Sequence, residues 1–155
     1  YFVTEGYPAV AHYEVVLALA EAASRLGARH HLGLTASAPG FYGAQGREVP
    51  GWPPRFKDID RELERMGVSN CEMEASALFS LASFRGLRAG AVCAVYANRH
   101  ANRFVDTGLK ERAEKACIEV GLEAVRVLAR MDREKREAGS PHWHAALGSA
   151  GKKRS

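Results

Sequence analysis

The sequence predicts an α/β fold with a ligand-binding site at the end of one strand. Strand-like and helix-like segments alternate along its 155 residues. Between the strand-like run 67–71 and the helix-like run 75–85 stands the motif Glu72-Met73-Glu74, where open α/β sheets place their ligands. Two carboxylates that flank a methionine at this point indicate a sugar-binding arrangement.

The composition predicts one compact domain and is not typical of membrane proteins. With 46% apolar and 26% charged residues, the chain can bury a core, and no apolar run reaches the length of a membrane span. The start lacks a signal-peptide pattern and an initiator methionine, so we expect a piece of a longer protein.

The spacing of the cysteines does not indicate a metal site, and the distribution of charges does not indicate nucleic-acid binding. Cys71, Cys93 and Cys117 lie far apart within apolar runs, so we expect buried thiols, a reducing cytoplasmic setting and no metal. The net charge of +4 includes a basic terminal run at 152–154, while other charges alternate in sign along helical stretches. This pattern is typical of a solvated surface.

The first half of the chain begins with a helix. Apolar residues at helical spacing predict this helix over 11–26, with Gly27 as its C-cap. A short strand is expected within 29–37. Residues 37–55 contain too many glycines and prolines for a regular element, and long loops of this kind are usually functional.

The second half should supply a crossover unit. A short helix near 58–66 precedes the strand 67–71, and the helix 75–85 ends at Gly86. The near-continuous apolar run within 88–97 predicts a fully buried strand, so that strand, helix and strand form a right-handed crossover.

A long final helix is predicted over 109–137. Asp106 or Thr107 can cap it. Its expected inward face consists of Ala113, Cys117, Val120, Leu122, Val125 and Leu128. Beyond it, the Gly, Ser, His and Lys content of 138–155 is typical of a flexible basic tail.

Four strings, in this order, carry a family resemblance: PAVAHYE, GLTASAPGFYGAQGR, NCEMEASALFSLASFRGLRAG and AVYANR. They resemble the C-terminal part of the uridine phosphorylases, within the nucleoside phosphorylase superfamily. The resemblance implies a three-layer α/β/α sandwich around a mixed sheet, incomplete here on its N-terminal side. Residues 1–137 would be the C-terminal part of that domain, and 138–155 would be the tail.

The base pocket separates the branches of this superfamily. Purine enzymes resemble one another in having an aspartate after the late strand, where this chain has Arg99. The loop also carries the Phe-Tyr-x-x-Gln-x-Arg pattern of uridine phosphorylases, with Phe41, Gln45 and Arg47. The resemblance implies that Gln45, Arg47 and Arg99 are catalytic and bind uracil, whose carbonyls and imide suit an amide and a guanidinium.

The sugar site follows from the same resemblance. It assigns Glu74 to the ribose hydroxyls, Met73 to the ribose face and Phe41 to covering the ribose or base. Val95 and Tyr96 would be apolar walls. For Glu72, a sugar-binding or supporting role and a plain surface charge remain alternatives.

The implied reaction converts uridine and phosphate to uracil and ribose 1-phosphate. Phosphate is a co-substrate, no other cofactor is expected, and a homo-oligomer, a dimer or a hexamer, is implied. The resemblance places the glycine- and arginine-bearing phosphate site, and a histidine from a neighbouring subunit, in the portion before Tyr1.

Other functions stay open at this point. The chain could be a non-catalytic uridine-binding module that keeps Gln45, Arg47 and Glu74, or a phosphorylase of broader pyrimidine nucleoside specificity. A nucleic-acid-associated protein acting through the basic terminus is a third reading. We do not expect the histidines to be catalytic: His30, His31, His142 and His144.

Overall fold

The computed structural model describes Thr4, residues 6–99, Ala101 and residues 103–150. The chain divides into two compact units. The first unit holds residues 1–11 and 31–90, and the second holds residues 12–30 and 91–155. Within the described residues, no helix combines the length and the apolar character that crossing a bilayer requires.

The first unit is built on a pair of parallel strands. Strand β1, Leu34–Ser37, pairs with β2, Val68–Glu72, so that Ser37 lies opposite Glu72. Helix α2, Ile59–Arg65, lies in the connection between them, and α3, Ala75–Phe84, follows β2 directly. The buried face of α3 presents Ala75, Phe79 and Ala82, which recur at helical spacing.

The second unit is built on two packed helices. Helix α1, Tyr13–Arg25, packs against α4, Thr107–Ala138. Small side chains on α1 allow close packing in the core, which consists of Ala18, Ala22, Ala23, Val120, Ala124, Val127 and Met131. The unit also contains the antiparallel pair of β3, Ala97–Asn98, and β4, Arg103–Phe104, and a last helix α5, Ala145–Ala150.

The helix ends confirm the capping predictions. The α1 helix ends at the cap Leu26, and Gly27 follows with a φ of 63°, which glycine adopts readily. At the start of α4, the Asp106 side chain accepts a hydrogen bond from the Leu109 backbone N–H. Local sequence signals therefore located these helices to within about two residues, the usual uncertainty of helix ends.

The predicted buried strand within 88–97 is wrong. Among the described residues of this run only Ala97 belongs to a strand, β3, and Val92, Val95 and Tyr96 are each at least 40% exposed. A strand needs a neighbouring backbone for a continuous ladder of hydrogen bonds, and none of residues 88–96 is assigned to such a ladder. The crossover expected through this run is therefore not formed, and the parallel pairing joins β1 to β2 instead.

Strand β1, Leu34–Ser37, lies within the predicted span 29–37. Three smaller expectations change. The loop 37–55 contains a short 3₁₀ turn, Gly43–Gln45. Leu122 and Val125 of α4 are exposed, because the helix packs on α1 through a different face. Cys71 and Cys93 are exposed and Cys117 is half-buried, so these thiols are not core groups.

The segment after α4 contacts the second unit. The Trp143 backbone N–H donates to Glu14 Oε1 at 3.0 Å, and its indole N–H donates to Glu134 Oε2 at 2.6 Å. Glu14 is 2% exposed and also accepts from Lys135 Nζ at 2.8 and 2.9 Å. Residues 140–150, which composition marked as tail, therefore include a docked tryptophan and α5.

Candidate active site

The site begins where the two parallel strands end. Ser37 is the last residue of β1, and its hydroxyl donates to Glu72 Oε1 at the end of β2. The same hydroxyl accepts a hydrogen bond from the Ser76 backbone N–H at 2.8 Å. The backbone N–H of Ala38 donates to the Glu72 carbonyl at 2.8 Å. These bonds tie β1, β2 and the first turn of α3 together.

The Glu72 carboxylate is engaged on both oxygens. While Oε1 accepts from Ser37, Oε2 accepts from the backbone N–H groups of Glu74 at 2.7 Å and Ala75 at 2.6 Å. A carboxylate placed here satisfies otherwise unpaired donors at the start of α3. Of the readings that the sequence left open, the geometry favours a supporting role for Glu72.

Opposing effects act on the pKa of Glu72. Partial burial raises it, whereas the hydrogen bonds from Ser37 and the backbone N–H groups of Ala75, Glu74 and Met73 lower it. The hydrogen bonds are the stronger effect, so the pKa lies below the usual range for a glutamate.

Glu74 and Met73 have the opposite environment. The Glu74 side chain is exposed and makes no hydrogen bond or ion pair with any residue that the structure describes. Met73 is 45% exposed. Both side chains are therefore open to a ligand, the carboxylate as a hydrogen-bond acceptor and the thioether as an apolar surface.

The loop after β1 folds into a compact turn. The Tyr42 carbonyl accepts from the backbone N–H groups of both Gln45 and Arg47, each at 3.0 Å. Gly46 between them has a φ of 70°, and a Cβ there would lie 2.8 Å from Ile59 Cγ2. Glycine is thus required at this position, which fixes the spacing of the amide and the guanidinium.

The three loop residues of the predicted site belong to this turn. Gln45 is buried, with 7% of its surface exposed, and Arg47 is half-buried. The Arg47 guanidinium carbon lies 4.1 Å from the centroid of the Phe41 ring, a cation–π contact. The structure therefore brings Phe41, Gln45 and Arg47 into one local arrangement.

The turn and the acidic motif leave the same edge of the strand pair. Because β1 and β2 are parallel, their carboxyl ends lie side by side. Residues 38–47 follow one of these ends, and residues 73–75 follow the other. Open α/β sheets bind ligands at such an edge.

The other predicted residues lie in the second unit. Val95 is 62% exposed, and Arg99 follows β3 and is half-buried. The Tyr96 hydroxyl donates to Glu114 Oε1 at 2.6 Å, and this bond is the main cause that raises the pKa of Tyr96. The Tyr96 carbonyl accepts from the Val105 N–H at 3.0 Å.

Sequence reasoning missed Ser37. Ser37 ends a predicted strand, and its role depends on Glu72, which β2 places opposite it. In the sequence alone, only its position at a strand end could have indicated a functional role. Within the described residues, no group of three or more His, Cys, Asp or Glu side chains is arranged to hold a metal ion.

Fold and site together define an α/β protein with an acidic motif and a polar turn at neighbouring strand ends. A family model described as the phosphorylase superfamily matches residues 2–131. The chain belongs to this superfamily, and the resemblance drawn from the sequence is confirmed.

Several relatives carry the name uridine phosphorylase. That of Thermococcus kodakarensis is 48% identical over 148 residues, covering 94% of this chain and 52% of the relative. That of Escherichia coli (strain K12) is 38% identical, covering 79% of this chain and 49% of the relative. A DeoD-type purine nucleoside phosphorylase of Roseobacter denitrificans is 31% identical, covering 74% and 44%. The chain spans about half the length of the curated relatives it matches.

Proposed function

We propose that the protein is a pyrimidine nucleoside phosphorylase that converts uridine and phosphate to uracil and ribose 1-phosphate. The observation that carries this proposal is the turn that holds Gln45 and Arg47 at the strand edge from which Glu74 emerges, with its carboxylate bonded to none of the described residues. The names of the similar proteins support it, because the uridine phosphorylases are more similar to this chain than the purine enzyme above.

In this proposal the turn binds the base. Gln45 offers a donor and an acceptor to the imide edge of uracil, and Arg47 offers donors to a carbonyl oxygen. Uracil leaves with negative charge as the glycosidic bond breaks, so donors aimed at its oxygens stabilise the transition state more than the bound substrate. The family resemblance also assigns Arg99 to the base.

The acidic motif binds the sugar. An ionised Glu74 can accept protons from two ribose hydroxyls at once, and Met73 can pack on the ribose ring. Phe41 would cover the nucleoside from the loop. The family resemblance assigns Val95 and Tyr96 to apolar contacts with the substrate. This arrangement would orient the anomeric carbon toward an attacking phosphate.

Phosphate is the second substrate, and a homo-oligomer is the expected form of the active protein. The relatives are about twice as long as the stretch that they share with this chain. The family resemblance assigns the phosphate ligands to the portion before that stretch. Activity must therefore be measured on the full-length gene product.

The direct test is an assay of base release. The full-length gene product is incubated with uridine, thymidine, 2′-deoxyuridine or inosine, with and without phosphate, and the free bases are separated by chromatography. We expect release of uracil from uridine that depends on phosphate. The thymidine and 2′-deoxyuridine reactions measure how broad the pyrimidine specificity is.

Other outcomes would contradict the proposal. Base release without phosphate would indicate hydrolysis, and preferential cleavage of inosine would indicate a purine enzyme. If no base is released, titration calorimetry with uridine decides between the remaining readings: binding without turnover identifies a non-catalytic uridine-binding module.

A further inference from the structure

Ser37 connects three elements at the edge where the nucleoside is proposed to bind. Its hydroxyl donates to Glu72 at the end of β2 and accepts from the Ser76 N–H in the first turn of α3. Ser37 itself is half-buried and ends β1. One hydroxyl therefore links both strand ends to the helix that starts next to Glu74.

We propose that Ser37 is a positioning residue of the nucleoside site. It acts through Glu72 to fix the first turn of α3, and this turn fixes the direction in which Glu74 meets the sugar. In this arrangement Glu72 orients the motif and does not bind the sugar itself. The proposal rests on the proposed function and deepens it.

The hydrogen bonds of the two glutamates support this division of roles. Glu72 already accepts from the Ser37 hydroxyl and from the N–H groups of Glu74 and Ala75. An ionised carboxylate has about four lone-pair positions, so few remain for a ribose hydroxyl. The Glu74 carboxylate has no such partner among the described residues.

Loss of the Ser37 hydroxyl would affect both of its partners. The Ser76 N–H belongs to the first helical turn, whose backbone donors have no partner within the helix. Without Ser37, this donor and Glu72 Oε1 each lose a hydrogen bond. The first turn of α3 can then shift, and small displacements of a substrate-binding group are costly for catalysis.

A double-mutant cycle on the full-length gene product separates positioning from simple stabilisation. We expect Ser37→Ala to lower kcat/KM for uridine by about 10- to 100-fold, the value of a hydrogen bond to a charged group. Ser37→Thr, which keeps the hydroxyl, should restore most of this loss. Ser69→Ala, an exposed serine on β2, is the matched control and should leave kcat/KM unchanged.

The second half of the cycle uses Glu74. If Ser37 acts through the position of Glu74, the Ser37→Ala/Glu74→Ala double variant should be no slower than Glu74→Ala alone. Fully additive losses would overturn the proposal, because Ser37 would then act independently of Glu74. A Ser37→Ala variant with wild-type kcat/KM would overturn it as well.

Hydrogen exchange gives a readout that does not depend on turnover. In Ser37→Ala, the amide proton of Ser76 should exchange faster than in the wild type and in Ser69→Ala. Unchanged exchange at Ser76 would contradict the proposed link. If the wild type releases no uracil, the proposed function fails; if the wild type is active but the cycle is additive, only the positioning role fails.

Discussion

At the scale of single residues, the two glutamates of the acidic motif show how neighbouring carboxylates acquire different roles. Glu72 is partly buried and bonded on both oxygens, and Glu74 is exposed and open. The difference arises from Ser37, which β1 places opposite Glu72 but not opposite Glu74.

The lowered pKa of Glu72 predicts a specific pH dependence. A carboxylate whose folded pKa is depressed stabilises the fold fully above its unfolded pKa, and this contribution is lost as the pH falls through the folded value. We therefore expect the free energy of unfolding to fall less steeply below about pH 4 in Glu72→Gln than in the wild type. This pH is near the unfolded pKa of a glutamate. Urea denaturation between pH 7 and pH 3 measures this.

The control for this experiment is Glu119→Gln, since Glu119 is an exposed residue of α4. Parallel pH profiles for the wild type and Glu72→Gln would show that the hydrogen bonds around Glu72 contribute nothing to acid stability.

Arg47 gives a prediction for catalysis. If its guanidinium stabilises the charge on departing uracil, Arg47→Ala should lower kcat by roughly 100- to 1,000-fold in the full-length gene product. Steady-state kinetics with uridine measure this. Arg55→Ala is the matched control, because Arg55 is an exposed arginine of the same loop that stacks on Phe56. A raised KM with unchanged kcat would mean that Arg47 contributes only ground-state binding.

Sequence motifs predicted the residues of the turn and of the acidic motif, but they did not predict Ser37, which positions the acidic motif. Gln45, Arg47 and Glu74 could be named because motif spacing carries them. The role of Ser37 depends on strand register, which a single sequence specifies weakly for strands as short as these. The binding roles of these residues stay predictions.

At the scale of elements, the α1–α4 pair forms the core of the second unit. Met131 is 1% exposed and belongs to its buried cluster. We expect Met131→Ala to lower the free energy of unfolding by about 2–5 kcal/mol, because it removes buried apolar atoms and leaves a cavity. Val125→Ala, at an exposed position of the same helix, should change it by less than about 0.5 kcal/mol. Equal effects in urea denaturation would contradict the assigned packing face.

Helix α4 also shows what periodicity leaves undecided. Its apolar residues form two stripes, one with Val120, Val127 and Met131 and another with Leu122 and Val125. Both stripes fit a helical period, and the predicted inward face contained residues of both. Packing against α1 decides which stripe is buried, since only the first stripe meets the small side chains of α1.

The buried Glu14 predicts how the segment after α4 is held. Glu14→Ala removes one carboxylate partner of the Lys135 ammonium, which is 15% exposed and also pairs with Asp132 at 3.0 Å, and it removes the acceptor of the Trp143 backbone N–H. Breaking a buried ion pair costs about 3–5 kcal/mol when the remaining charge is left unpaired. Because Asp132 remains, we expect a smaller destabilisation together with release of Trp143. Release would appear as a red shift of Trp143 fluorescence, measured in a Trp52→Phe background because Trp52 is exposed.

Glu119→Ala is a suitable comparison for that variant. Its ion pair with Lys115 is exposed and 4.0 Å long, so its loss should cost less than about 1 kcal/mol. An unshifted Trp143 spectrum in Glu14→Ala would show that the segment does not depend on Glu14.

At the scale of the whole molecule, the α/β class and the superfamily could be predicted from the sequence, whereas the extent of the sheet could not. Helices form from local periodicity and caps, which one segment contains entirely. The run 88–97 has the composition of a buried strand, but strand formation requires a pairing partner from elsewhere. The predicted site residues lie in both units, most of them in the unit with the strand pair.

Gln45 and Arg47 are proposed to hold a pyrimidine while Glu74 holds its pentose in the same site. A crystal structure of the full-length gene product with bound uridine tests this most directly. We expect hydrogen bonds from Gln45 and Arg47 to the uracil ring and from the ribose hydroxyls to Glu74. Uridine bound away from these side chains would contradict this assignment. A complex in which Glu74 contacts the uracil ring and not the ribose would contradict it as well.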